Sequence, residues 1–374
     1  MVDDTLQLYW TNPDKNDFSI ESKILEMIDL AKKRIFLCSF LINSELIVDA
    51  LLKKAYELRG HVYCLTAIDE NFIKYVYDEN LEPIYEKYNF KALQRLSGND
   101  ANTHSSIAIR GHKNAHAKFI IIDNDEAFIT SANFTHSSFK ESVEIGFHSK
   151  NQDIVSPLVQ LFKDCYLKRH TDLQGFKNKS ITNYSLYHYK DEIQLPDFKY
   201  FNNKLNLRES LIWTYDFHKK PMLNGFENCT IKNSILELIK SEKKNIDIFT
   251  YSIKNLENSE IFKILIDKIE NEHLNVRILI FCNKKNQPYL TDTINHLLQL
   301  SRNNQNFEIK GFSKFHAKGM ITTEGIILSS ANLDGNLGLN GNFETGIISK
   351  DEELKTQVQN FFNIFYNHRY SIRI

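Results

Sequence analysis

The sequence predicts an α/β protein of two similar domains, each a mostly parallel or mixed β-sheet flanked by helices, the two packed as a pseudo-two-fold dimer. Three observations predict this. His116-Ala117-Lys118, followed by Ser131, Asn133 and Glu144, returns as His316-Ala317-Lys318, followed by Ser330, Asn332 and Glu344. The only two tryptophans, Trp10 and Trp213, sit in matching apolar runs at the start of each half. With 374 residues, the chain is long enough for two domains that each bury a core.

The elements follow in the same order in both halves. Gln7 to Thr11 and Ser210 to Thr214 read as the first strands. Ile20 to Lys32 and Thr230 to Lys243 place apolar residues three and four apart, the period of a helix with one buried face. The β-branched and aromatic runs Arg34 to Phe40 and Asn245 to Thr250 are strands, and each is followed by a second helix. His61 to Ile68 and Asn275 to Cys282 complete a β-α-β-α-β alternation, which requires a layered sheet. The repeat period of about 200 residues indicates two domains rather than a solenoid. Residues 1–176 form the first, closed by a helix from Val155 to Lys168. Residues 177–204, rich in Asn, Lys and Tyr, read as a connector, and residues 205–374 form the second domain.

Composition narrows the setting. Hydrophobic residues at 42 per cent and charged ones at 25 per cent fit a soluble globular protein. No run approaches the roughly 18 to 20 apolar residues that span a bilayer, and Met1 to Trp10 lacks the basic-then-apolar pattern of a signal peptide. The expectation is a cytoplasmic protein with no stable membrane insertion. Cys38, Cys64, Cys165, Cys229 and Cys282 are odd in number and contain no CxxC pair, so they read as buried free thiols. A net charge of -1 removes the argument from bulk basicity for a nucleic-acid binder. A local basic cleft suffices for an enzyme, and Lys32-Lys33-Arg34, Lys219-Lys220 and Lys284-Lys285 are its candidate contributors. Each cluster taken singly reads as a solvated helix-end cap.

The repeated residues carry chemistry. On a strand, His116 and Lys118 point the same way, as do Ser131 and Asn133 on the partner strand of a hairpin. An imidazole, an ammonium, a hydroxyl and a carboxamide directed at one point form a receptor for phosphate. Asp123 lies at an odd offset from His116, faces the other way, and reads as structural. The second copy has a hairpin turn, Thr322 to Gly325, shorter by one residue and without a matching Asp. Glu144 and Glu344 read as partners that hold one ring nitrogen of each imidazole protonated. Two histidines at one phosphodiester permit covalent catalysis: a neutral imidazole attacks phosphorus and a protonated one serves the leaving oxygen. Lys118, Lys318, Asn133 and Asn332 then neutralise the non-bridging oxygens, so no metal or other cofactor is required. Asp123-Asn124-Asp125-Glu126 begins like a calcium loop but lacks the Gly and distal Glu of one. The remaining histidines, including His104, His112 and His136, read as surface or hydrogen-bonding residues.

Residues 116 to 133 match the HxKxxxxDxxxxxxGSxN signature, with Thr130 in place of its Gly, and the chain thereby resembles the phospholipase D superfamily. The second copy departs further, with Ser329 for Gly and no matching Asp. The resemblance spans both halves and implies two phospholipase D-like domains sharing one active site at their interface. It implies a metal-independent phosphodiesterase working through a phosphohistidine, with His116 as nucleophile and His316 as acid. Within that superfamily the absence of an anchor favours a nuclease cleaving DNA, ahead of RNA. A partner ATPase or helicase in restriction or antiviral defence is the expected setting. The alternatives are phosphatidyl transfer of the phospholipase D or cardiolipin synthase kind, and a binding module with impaired catalysis. A basic channel marks the first, an apolar pocket or rim the second, and separated histidines the third. Oligomeric state is not legible.

Overall fold

A computed structural model describes residues 6–68, 91–97, 107–167, 174–180, 183–188, 209–215, 230–282 and 292–373. The first half runs β1 (Gln7–Asn12), α1 (Ser19–Leu30), β2 (Ile35–Ser39), α2 (Glu45–Glu57), β3 (Val62–Thr66), β4 (Ala108–Gly111), β5 (Phe119–Ile122), β6 (Glu126–Thr130), β7 (Ile145–Ser149) and α3 (Gln152–Leu167). A hairpin of β8 (Gln174–Ser180) and β9 (Asn183–His188) follows within and beside the stretch read as a connector, and β8 pairs with β4 at the edge of the sheet. The second half runs β10 (Glu209–Thr214), α4 (Thr230–Ser241), β11 (Asn245–Thr250), α5 (Glu260–Glu270), β12 (Asn275–Phe281), α6 (Asp292–Asn303), β13 (Phe307–Phe312), β14 (Gly319–Ile321), β15 (Ile326–Ser329), β16 (Glu344–Ser349) and α7 (Glu352–Tyr366).

The two sheets have one topology. In the first the order is β1-β7-β6-β5-β2-β3-β4, and in the second β10-β16-β15-β14-β11-β12-β13. Both are mixed: β2, β3 and β4 are parallel, as are β11, β12 and β13, while the remaining neighbours in each order are antiparallel. The central strand Ile35–Ser39 is buried along its whole length, which is why it reads as a continuous apolar run rather than an alternating one. Helix α1 buries Ile20, Ile24, Met27 and Ile28, the three-and-four spacing expected of it. It stops two residues before the expected Lys32, because the amides of Lys32 and Lys33 leave the helix to bind the Asp123 carboxylate.

Each half has its own core on its outer face, one built on Ile24, Leu51 and Phe134 and the other on Ile239, Leu265 and Ile309. A third core lies between the halves and joins Phe119, Phe147 and Phe162 of the first to Trp213, Phe315 and Phe361 of the second. Helix α3 packs on β10 of the other half, and α7 packs on β1. The Trp10 ring lies 6.2 Å from that of Phe361, so a tryptophan from each half marks the shared core. Cys38, Cys64, Cys165 and Cys282 are free and buried as expected; Cys229 lies outside the described residues.

Candidate active site

In each half the strand begins three residues later than the alternating pattern suggested, at Phe119 and at Gly319. His116 and Lys118 lie in an extended segment before β5, and the correction has a physical cause: this segment pairs with the other half. His116 N donates to Phe343 O at 3.1 Å and Phe343 N to Asn114 O at 2.8 Å. Reciprocally, His316 N donates to Val143 O at 2.9 Å and Val143 N to Lys314 O at 2.7 Å. Ala115 thereby forms a parallel bridge with Phe343, and Val143 with Phe315. Each motif is stitched to the residues that immediately precede the glutamate of the opposite half.

That stitching crosses the pairs. His116 Nδ1 lies 2.6 Å from Glu344 Oε1, and His316 Nδ1 lies 2.6 Å from Glu144 Oε1. A carboxylate can only accept, so Nδ1 carries the hydrogen and Nε2 of each ring is left to act. The glutamates are completely buried, while the imidazoles keep 18 and 22 per cent of their side-chain surface. Lys118 Nζ donates to the His116 carbonyl and lies 3.1 Å from its Nδ1; Lys318 Nζ donates to the His316 carbonyl at 2.6 Å.

Ser131 and Ser330 correct an expectation. Their hydroxyls do not face an incoming phosphate but donate to Glu144 Oε2 and Glu344 Oε2, each at 2.5 Å. They also accept from the amides of Ile145 (3.0 Å) and Thr345 (3.1 Å), and with its only hydrogen committed to the glutamate neither hydroxyl has one to give a phosphate. The reason is that β6 and β15 end at Thr130 and Ser329, so alternation no longer dictates where the next side chain points. Asn133 and Asn332 lie past these strands, and each has a buried Oδ1 with no hydrogen-bond partner. Each carboxamide therefore keeps a polar contact that the protein itself leaves unmet.

Burial and opposite charges set the protonation states. Burial pushes both imidazoles below their ordinary value, only partly countered by the paired glutamate, and each lysine lowers them further. Burial also lowers Lys118, and it brings Lys318 down to about 8. For Glu144 and Glu344 burial acts upward, but the imidazoles, lysines and serine hydroxyls outweigh it and hold both carboxyls below the usual range.

Asp123 is structural, as expected, but not through strand alternation: it lies in the loop after β5, and its carboxylate accepts from the amides of Lys32, Lys33 and Arg34. Those basic residues therefore stand at the entry of β2, roughly 20 Å of strand from His116 at its exit, and do not line the site. Lys219, Lys220, Lys284 and Lys285 lie outside the described residues, as does His104. His112 is buried and its Nδ1 accepts from Asn114 N at 3.1 Å.

Two aromatic residues went unread in the sequence. The Phe40 ring lies 4.9 Å from the His116 ring, and Tyr251 lies 4.6 Å from His316. They occupy equivalent places two residues after Cys38 and Phe249, which pair with Phe119 and Gly319. An aromatic at matched strand ends was the available signal. Thr11 was also missed: its hydroxyl donates to Ser142 O at 2.6 Å and accepts from Glu144 N at 2.8 Å, fixing the backbone of that glutamate.

The family model described as "Cardiolipin synthase, PLD-like domain" matches residues 24–166 and 235–365. No curated protein matches the chain. Among solved structures, phosphatidylserine synthase from Haemophilus influenzae Rd KW20 superposes with a TM-score of 0.67 at 14% identity, over 98% of this chain and 87% of that one. Polyphosphate kinase from Porphyromonas gingivalis gives 0.57 at 13% identity, over 97% of this chain and 50% of its own. Nuc from Salmonella typhimurium, a phospholipase D family member, gives 0.35 at 18% identity, over 46% of this chain and 99% of its own. With the duplicated fold, the crossed motif residues and this match over both halves, the chain belongs to the phospholipase D superfamily, in its "Cardiolipin synthase, PLD-like domain" family.

Proposed function

We propose that the protein is a metal-independent phosphodiesterase that works through a phosphohistidine, and that its substrate is a nucleic acid, DNA ahead of RNA. The observation that carries the phosphodiesterase reading is the crossed pair of His–Glu contacts, since it makes one composite site and argues against two separate sites or a binding module with histidines apart. Charge supports it too. Two lysines and two glutamates cancel, so one imidazolium gives the site a single positive charge to meet the single negative charge of a phosphodiester.

In this reading His116, held by Glu344, is the nucleophile. Its neutral Nε2 attacks phosphorus while protonated His316 gives its Nε2 proton to the leaving oxygen, and the P–O bond breaks. Water then attacks the phosphohistidine, His316 takes its proton, and the P–N bond breaks to regenerate the neutral nucleophile. Lys118, Lys318, Asn133 and Asn332 face the non-bridging oxygens, where one lost donor typically costs on the order of a hundredfold in rate. With the lysines supplying the positive charge, the reaction proceeds in excess EDTA.

Phe40 and Tyr251 support a nucleic-acid substrate, because a ring beside each histidine offers a flat apolar surface to a neighbouring base. A partner ATPase or helicase in restriction or antiviral defence is the setting we propose for such an activity. A second reading is phosphatidyl transfer. It rests on the cardiolipin synthase description of the family and on Leu337, 57% exposed in the loop between Asn332 and Glu344, as a contact for acyl chains. Among the described residues no helix is long and apolar enough to cross a membrane.

The test is cleavage of labelled single-stranded DNA, duplex DNA and RNA in EDTA, beside vesicles containing anionic phospholipid. The proposal expects nucleic-acid cleavage that falls steeply with salt and is abolished by His116→Ala and by His316→Ala. Turnover of lipid with no cleavage of any nucleic acid establishes the second reading instead.

A further inference from the structure

We propose that Glu242 positions the second motif, doing from the end of α4 what Asp123 does for the first motif from its hairpin turn. The role rests on the phosphodiesterase reading for its catalytic consequence only; the geometry stands without it.

In the first half the loop between β5 and β6 is Asp123-Asn124-Asp125, with Asp123 and Asn124 at φ 59° and 69°. The Asp123 carboxylate accepts from Lys32 N at 2.8 Å, Lys33 N at 2.7 Å and Arg34 N at 2.8 Å. These amides lead into β2, which pairs with β5 from Ile35–Ile122 to Cys38–Phe119. One carboxylate thus pins one end of a two-strand ladder whose other end carries His116 and Phe40.

The second half has the same ladder, from Asp247–Ile321 to Phe249–Gly319, ending at His316 and Tyr251. Its loop holds Thr323 where the first holds Asp123, and a hydroxyl cannot accept from three amides. The missing carboxylate is supplied across the ladder. Glu242 Oε1 accepts from Lys243 N at 2.8 Å, Lys244 N at 2.7 Å and Asn245 N at 3.4 Å, the residues equivalent to Lys32, Lys33 and Arg34. Glu242 Oε2 accepts from Thr323 N at 2.5 Å and from Thr323 Oγ1 at 2.8 Å. Both anchored groups, the entry to β11 and the hairpin loop, are those that Asp123 joins by being part of the loop itself.

Glu242 is completely buried. Burial acts to raise its carboxyl, yet the Thr323 hydroxyl and the amides of Lys244, Thr323 and Lys243 hold it below the usual range. A buried carboxylate with this many donors has a defined job, and its place in the ladder says what the job is. The loss of the signature Asp in the second copy is therefore a relocation of the charge, not a decay of the half.

The test uses the full chain with histidine NMR titration and thermal melting, neither of which needs turnover, and turnover of bis(p-nitrophenyl) phosphate beside them. Glu242→Gln is expected to lower Tm by roughly 5 °C, to shift the titration of His316 more than that of His116, and to reduce kcat roughly tenfold. Asp123→Asn is expected to shift His116 instead. The decisive variant adds to Glu242→Gln the loop of residues 123–125 in place of Thr323-Glu324, and should restore both Tm and the His316 titration. If Glu242→Gln alone fails to fold, recovery of folding by the loop exchange carries the same meaning. An unchanged His316 titration in Glu242→Gln, or no recovery on loop exchange, overturns the proposal. Normal titrations with no turnover of any diester in the wild type count against the catalytic reading and leave the positioning role standing.

Discussion

Each imidazole takes its orientation from a carboxylate that belongs to the other half, so the effect of a glutamate substitution should appear on the distant histidine. Glu344→Gln is expected to lower kcat by roughly ten- to a hundredfold and to move the acidic limb of the kcat/KM profile, which in the proposed mechanism reports neutral His116. Glu144→Gln should move the basic limb, which in that mechanism reports protonated His316. A profile measured for each variant checks the crossing. The sign of the wild-type profile follows from burial. Both histidines are held below their ordinary 6.5, and the proposed mechanism needs one neutral and one protonated ring. The bell should therefore centre on the acid side of 6.5, its limbs belonging to the coupled pair. As pH then rises toward 8, Lys318 loses its charge and activity should fall again. Lys318→Arg, if it folds, should remove that last step.

At the scale of strands, two glycines explain how the signature tolerates its departures. Gly146 faces Thr130 across β6 and β7, and Gly346 faces Ser329 across β15 and β16. A Cβ on Gly346 would stand 2.4 Å from Leu328 O, and one on Gly146 would stand 2.7 Å from the Phe128 ring. Thr130 and Ser329 occupy positions where the signature has Gly because the opposite strand supplies the glycine. Gly346→Ala is expected to cost about 1–3 kcal/mol, since the obstruction is backbone and cannot turn aside; chemical denaturation measures it. Much of this was legible beforehand. The strand and helix runs and the mixed sheet came from period. Asp123 is structural as expected, although its place in the loop after β5, not its offset, makes it so. The turning of Ser131 and Ser330 onto glutamates did not, because alternation fails once a strand ends. Glu242 was hidden for a related reason: its partner lies across a ladder, although an acid just before Lys243-Lys244, where the first half has Ala31, was a visible sign.

At the scale of the whole molecule, duplication gives each half a surface complementary to its twin, and that surface holds both the shared core and the crossed His–Glu pairs. Helices α3 and α7 lie on each other's half, and the motif segments exchange backbone hydrogen bonds across the interface. The repeat in the sequence revealed two halves and the family resemblance implied one shared site, whereas the exchange of glutamates depends on spatial neighbours that no spacing encodes. An isolated half lacks the glutamate that orients its own histidine and exposes the shared core of Phe119, Phe147, Trp213 and Phe361. The central claim is that the two halves make one covalent site rather than two. The most direct measurement is the amplitude of the first turnover with bis(p-nitrophenyl) phosphate, whose leaving group departs without a proton from His316 but whose release from the enzyme needs His316 to activate water. In His316→Ala the account predicts one p-nitrophenolate per chain followed by arrest, and none in His116→Ala. Two equivalents per chain, or a burst that survives His116→Ala, would contradict it.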